Sequence, residues 1–163
     1  MGRPKALLPD RAGVPFIRRI TDTLLAAGVP RVHVVTHAGV RDAVAGALNG
    51  LAPEDAAVVV NEDPDRGQLS SLLTGLMAAG EVDGLLVTLV DVPFVAVETV
   101  RAVIAAHAAG RAPIVRPASG SRHGHPVIFD AVLFDALRRA PLDRGAKAVV
   151  RAHEAAILNR SEE

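Results

Sequence analysis

The sequence contains no cysteine, which excludes disulfides and thiolate metal centres and makes a reducing cytoplasm the expected compartment. Tryptophan and tyrosine are absent too, and only four phenylalanines occur, so the core has to be packed from small aliphatic side chains. With neither an aromatic stacking platform nor a basic stripe, no dedicated nucleic-acid surface is expected. An excess of one charge is also missing: 18 basic residues balance 18 acidic ones, and the arginines among them are spread along the chain. Asp91 interrupts the longest apolar run, which falls short of the roughly 20 residues of a membrane span. The first residues lack the apolar core of a signal peptide, since Pro9 and Asp10 stop Ala6-Leu7-Leu8. These absences predict a soluble protein, and 163 residues, half of them hydrophobic, are one domain's worth with a core of its own.

What is present is organised around Gly84 to Phe94, GLLVTLVDVPF. Its first seven residues form a nearly unbroken apolar run, as in a strand of a parallel sheet buried on both faces. Asp91 ends the run, and Pro93 forbids a continued central strand because it has no N–H to donate. A carboxylate at the C-terminal tip of an inner strand lies where open α/β sheets bind ligands. The alternative, a cap for the helix near Ala96, places Asp91 several residues too early.

Around this stretch, helical and extended patterns alternate. Phe16, Ile17, Ile20, Leu24 and Ala27 recur at helical spacing before Gly28. Arg31 to Thr36 reads as a strand, Val40 to Leu48 as a helix, and Ala56 to Val60 as a strand ending at Asn61. A polar loop from Glu62 to Gln68 opens a helix from Leu69 to Ala79, and another covers about Val97 to Ala109. Short strands at Pro113 to Arg116 and Pro126 to Phe129 have no helix between them, so they should pair antiparallel. Helices over Ala131 to Ala140 and Gly145 to Ala155 follow, with a last short strand near Ile157. The expected fold is a three-layer, Rossmann-like α/β domain whose sheet is mostly parallel with one antiparallel strand.

Five loops fall at one edge of such a sheet. Gly2-Arg3-Pro4-Lys5 sets two cations beside a glycine, suited either to a polyphosphate or to an exposed basic tail. In the second loop Gly67 lets the backbone turn and Ser70 and Ser71 stand at a helix start, where they either contact a ribose or phosphate or simply cap the helix. Asp91 is the third. In the fourth, His123 and His125 share one face at strand spacing, but two imidazoles without another ligand make a poor metal site. A substrate-contacting loop or a solvated hairpin remains. In the fifth, Asp143 precedes a helix that it could merely cap.

Together these segments resemble a known family. GRPKALLP at Gly2 to Pro9, the pattern at Asn61, Gly67, Ser70, Ser71, Leu72 and Gly75-Leu76, LVDVPF at Leu89 to Phe94, GHPVIF at Gly124 to Phe129 and DRGAK at Asp143 to Lys147 occur in the order found in MobA-like NTP transferases. The RPK and GHP forms look most like molybdenum cofactor cytidylyltransferases. The resemblance implies transfer of a CMP or GMP group from CTP or GTP to a phosphorylated acceptor, molybdopterin foremost, with release of pyrophosphate. By the same resemblance Asp91 would hold Mg²⁺ and Lys5, with Arg3, would neutralise phosphate charge. Asn61, Gly67, Ser70 and Ser71 would contact the nucleotide, and His125 and Asp143 would face the acceptor. Such a transfer depends on positioning and electrostatic stabilisation of phosphoryl oxygens.

The match departs from the family at both ends. Family members open with a strand and a Gly-rich loop of the form LAAGxSxRMGxPK, and this sequence begins at the Met of that motif; it also stops short of the family's acidic C-terminal segment. The expectation is therefore an N-terminally truncated single domain over residues 1–163, with upstream codons completing the enzyme. The alternative is a non-catalytic nucleotide- or partner-binding remnant of the same fold, or an unrelated structural domain. The absent strand should be an interior one. Neighbouring strands lie roughly 4.8 Å apart, so the loss of one should leave about twice that between its former neighbours. Two rows of backbone groups would then lose their partners.

Overall fold

A computed structural model describes residues 4–110, 112–120, 122–141 and 144–161. Pro15, with φ −57°, leads into helix α1 (Phe16–Ala26), which buries Ile20, Thr21 and Leu24 on one face. Gly28, at φ 95°, ends it in a conformation that L side chains rarely adopt. Strand β1 (Val32–Thr36) then alternates, with Val32 and Val34 buried. Helix α2 (Arg41–Ala47) buries Val44, and β2 (Ala56–Val60) pairs parallel with β1 from Val32–Ala56 to Thr36–Val60. Helix α3 (Gln68–Ala79) crosses back to β3 (Gly84–Val87). Helix α4 (Val97–Gly110) precedes β4 (Ile114–Ser119), the two-residue β5 (Arg122–His123) and β6 (Val127–Asp130). The chain continues through α5 (Phe134–Arg139), α6 (Ala146–Ala152) and β7 (Ile157–Ser161).

These strands form two sheets. One holds β1 and β2; the other runs β3-β6-β4-β5, with β7 on β4. As expected, β6 lies antiparallel to β4, with Val115 opposite Ile128, and it is antiparallel to β3 as well. Because β6 separates them, β3 and β4 point the same way, and β7 is parallel to β4. The short β5 is a second reversed strand, folded back on the end of β4. Neither β1 nor β2 pairs with β3.

Helices cover both faces of the strands. On one side α1, α2 and α4 gather Ile20, Leu24, Val44 and Val100 onto Val32 and Val34 of β1, with Leu86 of β3 packed against them. On the other, α3, α5 and α6 close over Ile114 and Phe129 through Leu76, Leu137 and Val149. The architecture is the expected three-layer α/β arrangement.

One feature of the organising stretch differs from expectation. Strand β3 stops at Val87 instead of continuing to Val90, and all four of its residues are half-buried instead of fully buried. Helices cover its faces, but among the described residues only β6 pairs with it, along one edge. Among the described residues no helix is long and apolar enough to cross a membrane.

Candidate functional site

Beyond β3 the chain turns, with the Val92 N–H donating to the Leu89 carbonyl at 3.1 Å, and Asp91 sits in that turn. It is therefore past the strand end and not at the strand tip, because an unpaired edge gives Thr88 to Val90 no ladder to extend. The neighbouring Pro93 is buried and fixes the turn against the body of the protein. A 3₁₀ turn at Lys5–Leu7 brings the Lys5 ammonium over, and its Nζ donates to Asp91 Oδ1 at 2.9 Å. The two side chains are 67% and 55% exposed, so an incoming ligand can reach both. This ammonium–carboxylate contact links two of the segments singled out in the sequence.

The loop between Lys5 and α1 is tightly tied. Asp10 accepts the N–H groups of Ala12 and Val14 at 2.8 and 2.9 Å and that of Arg19 Nε at 2.7 Å. The Arg19 hydrogen bond, followed by that from Val14, holds the Asp10 carboxyl below the usual carboxylate range. The Arg19 guanidinium also lies 5.5 Å from the centre of the Phe94 ring, which meets Phe16 edge-on at 5.7 Å. Arg19 and Phe94 were not among the expected site residues. Only the three-residue interval from Asp91 to Phe94 hinted at the second, and nothing local hinted at the first.

A second group forms at the end of β2. Asn61 is buried, and its Nδ2 donates to Ser70 Oγ at 2.8 Å and Ser71 Oγ at 3.0 Å, while its Oδ1 accepts the Asp63 N–H at 3.0 Å. The capping role open to the serines is not the one they take. Helix α3 starts at Gln68 with Gly67 as N-cap and no side-chain cap, so both hydroxyls lie inside its first turn. Gly67 has φ 82°, and a Cβ built there meets no atom within 4 Å, which leaves its backbone open to close approach.

The histidine pair does not share a face. His123 ends β5, and at Gly124 the chain leaves the strand, so the expected alternation does not reach His125. The His125 ring is instead half-buried with Nδ1 3.4 Å from the Val87 carbonyl, at the end of β3 that leads to Asp91. Arg3 and Asp143 lie outside the described residues. A groove of about 400 Å³ between Gly80–Asp83 and Phe134 contains none of the expected site residues and lies at the opposite end of β3.

Among the described residues no three His, Asp or Glu side chains converge to hold a metal. Asp91 offers a single exposed carboxylate whose second oxygen has no donor among those residues. That suits an ion bound by one side chain together with substrate oxygens, as Mg²⁺ commonly is, and not a cage built by protein alone.

The model of the MobA-like NTP transferase domain matches residues 1–157. Nicotine blue oxidoreductase of Paenarthrobacter nicotinovorans is 35% identical over 158 residues, covering 93% of this chain and 75% of the relative. A probable molybdenum cofactor guanylyltransferase of Natronomonas pharaonis is 36% identical over 94 residues, 58% of this chain and 44% of the relative. Among solved structures, Rv0371c of Mycobacterium tuberculosis H37Rv superposes with a TM-score of 0.80 at 27% identity, over 99% of this chain and 80% of that one. The same protein in complex with manganese gives 0.76 at 28% identity, over 98% and 82%.

Proposed function

The chain belongs to the MobA-like NTP transferase family, and from that premise we propose that it moves a CMP or GMP group from CTP or GTP to a molybdopterin-type phosphate. An oxygen of the acceptor phosphate attacks the α-phosphorus of the nucleotide, a new P–O–P bond forms, and the bond to the β-phosphate breaks to release pyrophosphate. The observation that carries this reading is the contact of Lys5 with Asp91, a cation and a carboxylate brought from distant segments to one exposed spot. The Lys5 ammonium faces the charge that builds on the departing oxygens. Asp91 would hold Mg²⁺. When bound, that ion supplies positive charge at the phosphoryl oxygens. A manganese complex of Rv0371c supports a divalent ion in this fold.

Asn61 orients the two serine hydroxyls toward the nucleotide, and the open backbone at Gly67 accepts close approach of a ribose or phosphate. His125, at the same end of β3 as Asp91, faces the acceptor. Arg3 adds phosphate-neutralising charge, and Asp143 assists at the acceptor; both roles rest on the sequence resemblance.

Pyrophosphate release, measured with CTP and GTP in turn, Mg²⁺ and a molybdopterin acceptor, tests the reading. Turnover should fall about 10²- to 10³-fold in Asp91→Asn. Nucleotide binding without turnover in the parent chain would favour the non-catalytic remnant instead. A redox reading is favoured by one observation, the 35% identity to nicotine blue oxidoreductase over most of the chain. Decolourisation of that dye when a two-electron donor is supplied, with no pyrophosphate formed, would select it.

A further inference from the structure

Two neighbouring arginines of α1 direct their charge differently. Arg18 stays close to its own helix: its Nε donates to Asp22 one turn on at 2.8 Å, and its Nη1 donates to the Asn49 carbonyl. Arg19 reaches away from the helix in two directions. Its Nε donates to Asp10 Oδ2 at 2.7 Å, and its Nη2 donates to the same oxygen. Its guanidinium carbon also stands 5.5 Å from the centre of the Phe94 ring. Phe16, three residues earlier and so on the same helix face, meets that ring edge-on. The start of α1 thus clamps Phe94, although that residue is 67% exposed.

Both contacts lead, through short stretches of chain, to one half of the ammonium–carboxylate pair. From Phe94 the path to Asp91 runs through Val92 and the buried Pro93, whose ring removes a backbone freedom. From α1 the path to Lys5 runs through Leu8: its carbonyl accepts the Phe16 N–H at 2.9 Å, and its N–H donates to the Lys5 carbonyl at 3.0 Å. Asp10 closes the loop between Leu8 and α1 by accepting from Ala12 and Val14 as well as from Arg19. Three residues of chain span at most about 10 Å, so neither Lys5 nor Asp91 can stray far from its tether.

Relative strength decides which contact sets the geometry. The Lys5–Asp91 pair is more than half exposed on both sides, and such pairs hold little, because water screens them and two mobile side chains must be fixed. It cannot keep two loops in register. The Asp10 side chain is only 2% exposed and accepts four hydrogen bonds, two of them from one guanidinium. Taking away its arginine leaves a sheltered charge without compensation. We propose that Arg19 is a positioning residue: by gripping Asp10 and Phe94 together, it sets the distance between the Lys5 ammonium and the Asp91 carboxylate. Arg19 itself touches neither substrate nor ion. The use of that distance rests on the transfer reading, in which both groups act on one triphosphate; the distance itself does not.

The distance is read without turnover, by coupling the full chain with a water-soluble carbodiimide. The reagent activates the Asp91 carboxyl, the Lys5 amine attacks the activated carbon, an amide forms and the reagent departs as its urea. Lys5 and Lys147 are the only lysines, so mass spectrometry assigns the linked peptide directly. Its yield should fall at least about fivefold in Arg19→Gln and in Phe94→Leu, and persist in Phe94→Tyr, which keeps the ring. It should not change in Arg138→Gln, which breaks an arginine–aspartate pair at the opposite end of the fold. Phe94→Leu leaves the Asp10 contact in place, so it decides the matter even where Arg19→Gln fails to fold. A parent-like yield in Phe94→Leu or in folded Arg19→Gln would overturn the proposal, and so would an equal fall in Arg138→Gln. In pyrophosphate release, Arg19→Gln should lower kcat about tenfold, but only about threefold or less where Lys5 is already alanine. A full loss in both backgrounds would place the effect outside the pair and overturn the proposal too. If coupling falls as expected while the parent shows no turnover, the transfer reading fails and the positioning role stands.

Discussion

Strands β3 and β4 lie in one sheet, separated only by β6, and GLLV is the more apolar of the two sequences. Yet Ile114 and Val115 of β4 are completely buried, whereas every residue of β3 is half-buried. The difference lies in the neighbours. Strand β4 has β6 and β7 on its two edges and helices on its faces; β3 has the helices but only one neighbour. Lateral pairing thus adds to composition in the burial of a strand. Strand β2, also paired on one edge, is half-buried along its whole length despite the sequence AAVVV. Strand β1, likewise paired on one edge, buries Val32 and Val34 because α1, α2 and α4 pack onto them.

This contrast can be broken by truncation. Ile114→Ala, in the fully paired region, should cost about 3–4 kcal/mol, and Leu85→Ala, in β3, only about 1–2 kcal/mol, both read from urea unfolding midpoints. Equal losses would remove the distinction. Next in size is Asn61→Ala, at the end of β2. It deletes the donor shared by Ser70 and Ser71, and should cost about 1–2 kcal/mol in the same measurement.

A smaller effect comes from His33 on β1, whose buried Nδ1 has no hydrogen-bond partner among the described residues. Burial, and then the charge of Arg31, lowers the imidazole below its ordinary value. As pH falls through about 6.5 the unfolded chain takes up the proton before the folded one does, so stability is lost on acidification. His33→Gln should flatten that part of the stability–pH curve between about pH 7 and 5. Smallest in stability is Lys5→Ala. Both partners of its ion pair are more than half exposed, so unfolding should change by less than about 0.5 kcal/mol. The proposed transfer should nevertheless slow by about tenfold or more, a divergence that assays of rate and of unfolding on one sample would reveal.

Much of this was legible in the sequence because it is local. The helical spacing of Ile17, Ile20 and Leu24 fixed α1 nearly to its ends, and the short interval between β4 and β6 fixed their antiparallel pairing. The Asn61, Ser70 and Ser71 cluster was visible as a pattern, though not as a hydrogen-bonded unit. What stayed hidden depends on partners remote in the chain. The early end of β3 follows from a bare edge that GLLVTLV does not reveal. The grip of Arg19 on both Asp10 and Phe94 joins a helix to a turn far along the chain, and neither segment announces the other.

Helix α3 spans the broken sheet and carries Ser70 and Ser71 in its first turn, with Gly67 at its cap. A rod fixed at two points transmits tilt from one to the other. A ligand gripping the hydroxyl-bearing end of that rod would therefore press on its far side, where Gly75 meets Val35 and Leu76 shares a cluster with Leu85 and Val87.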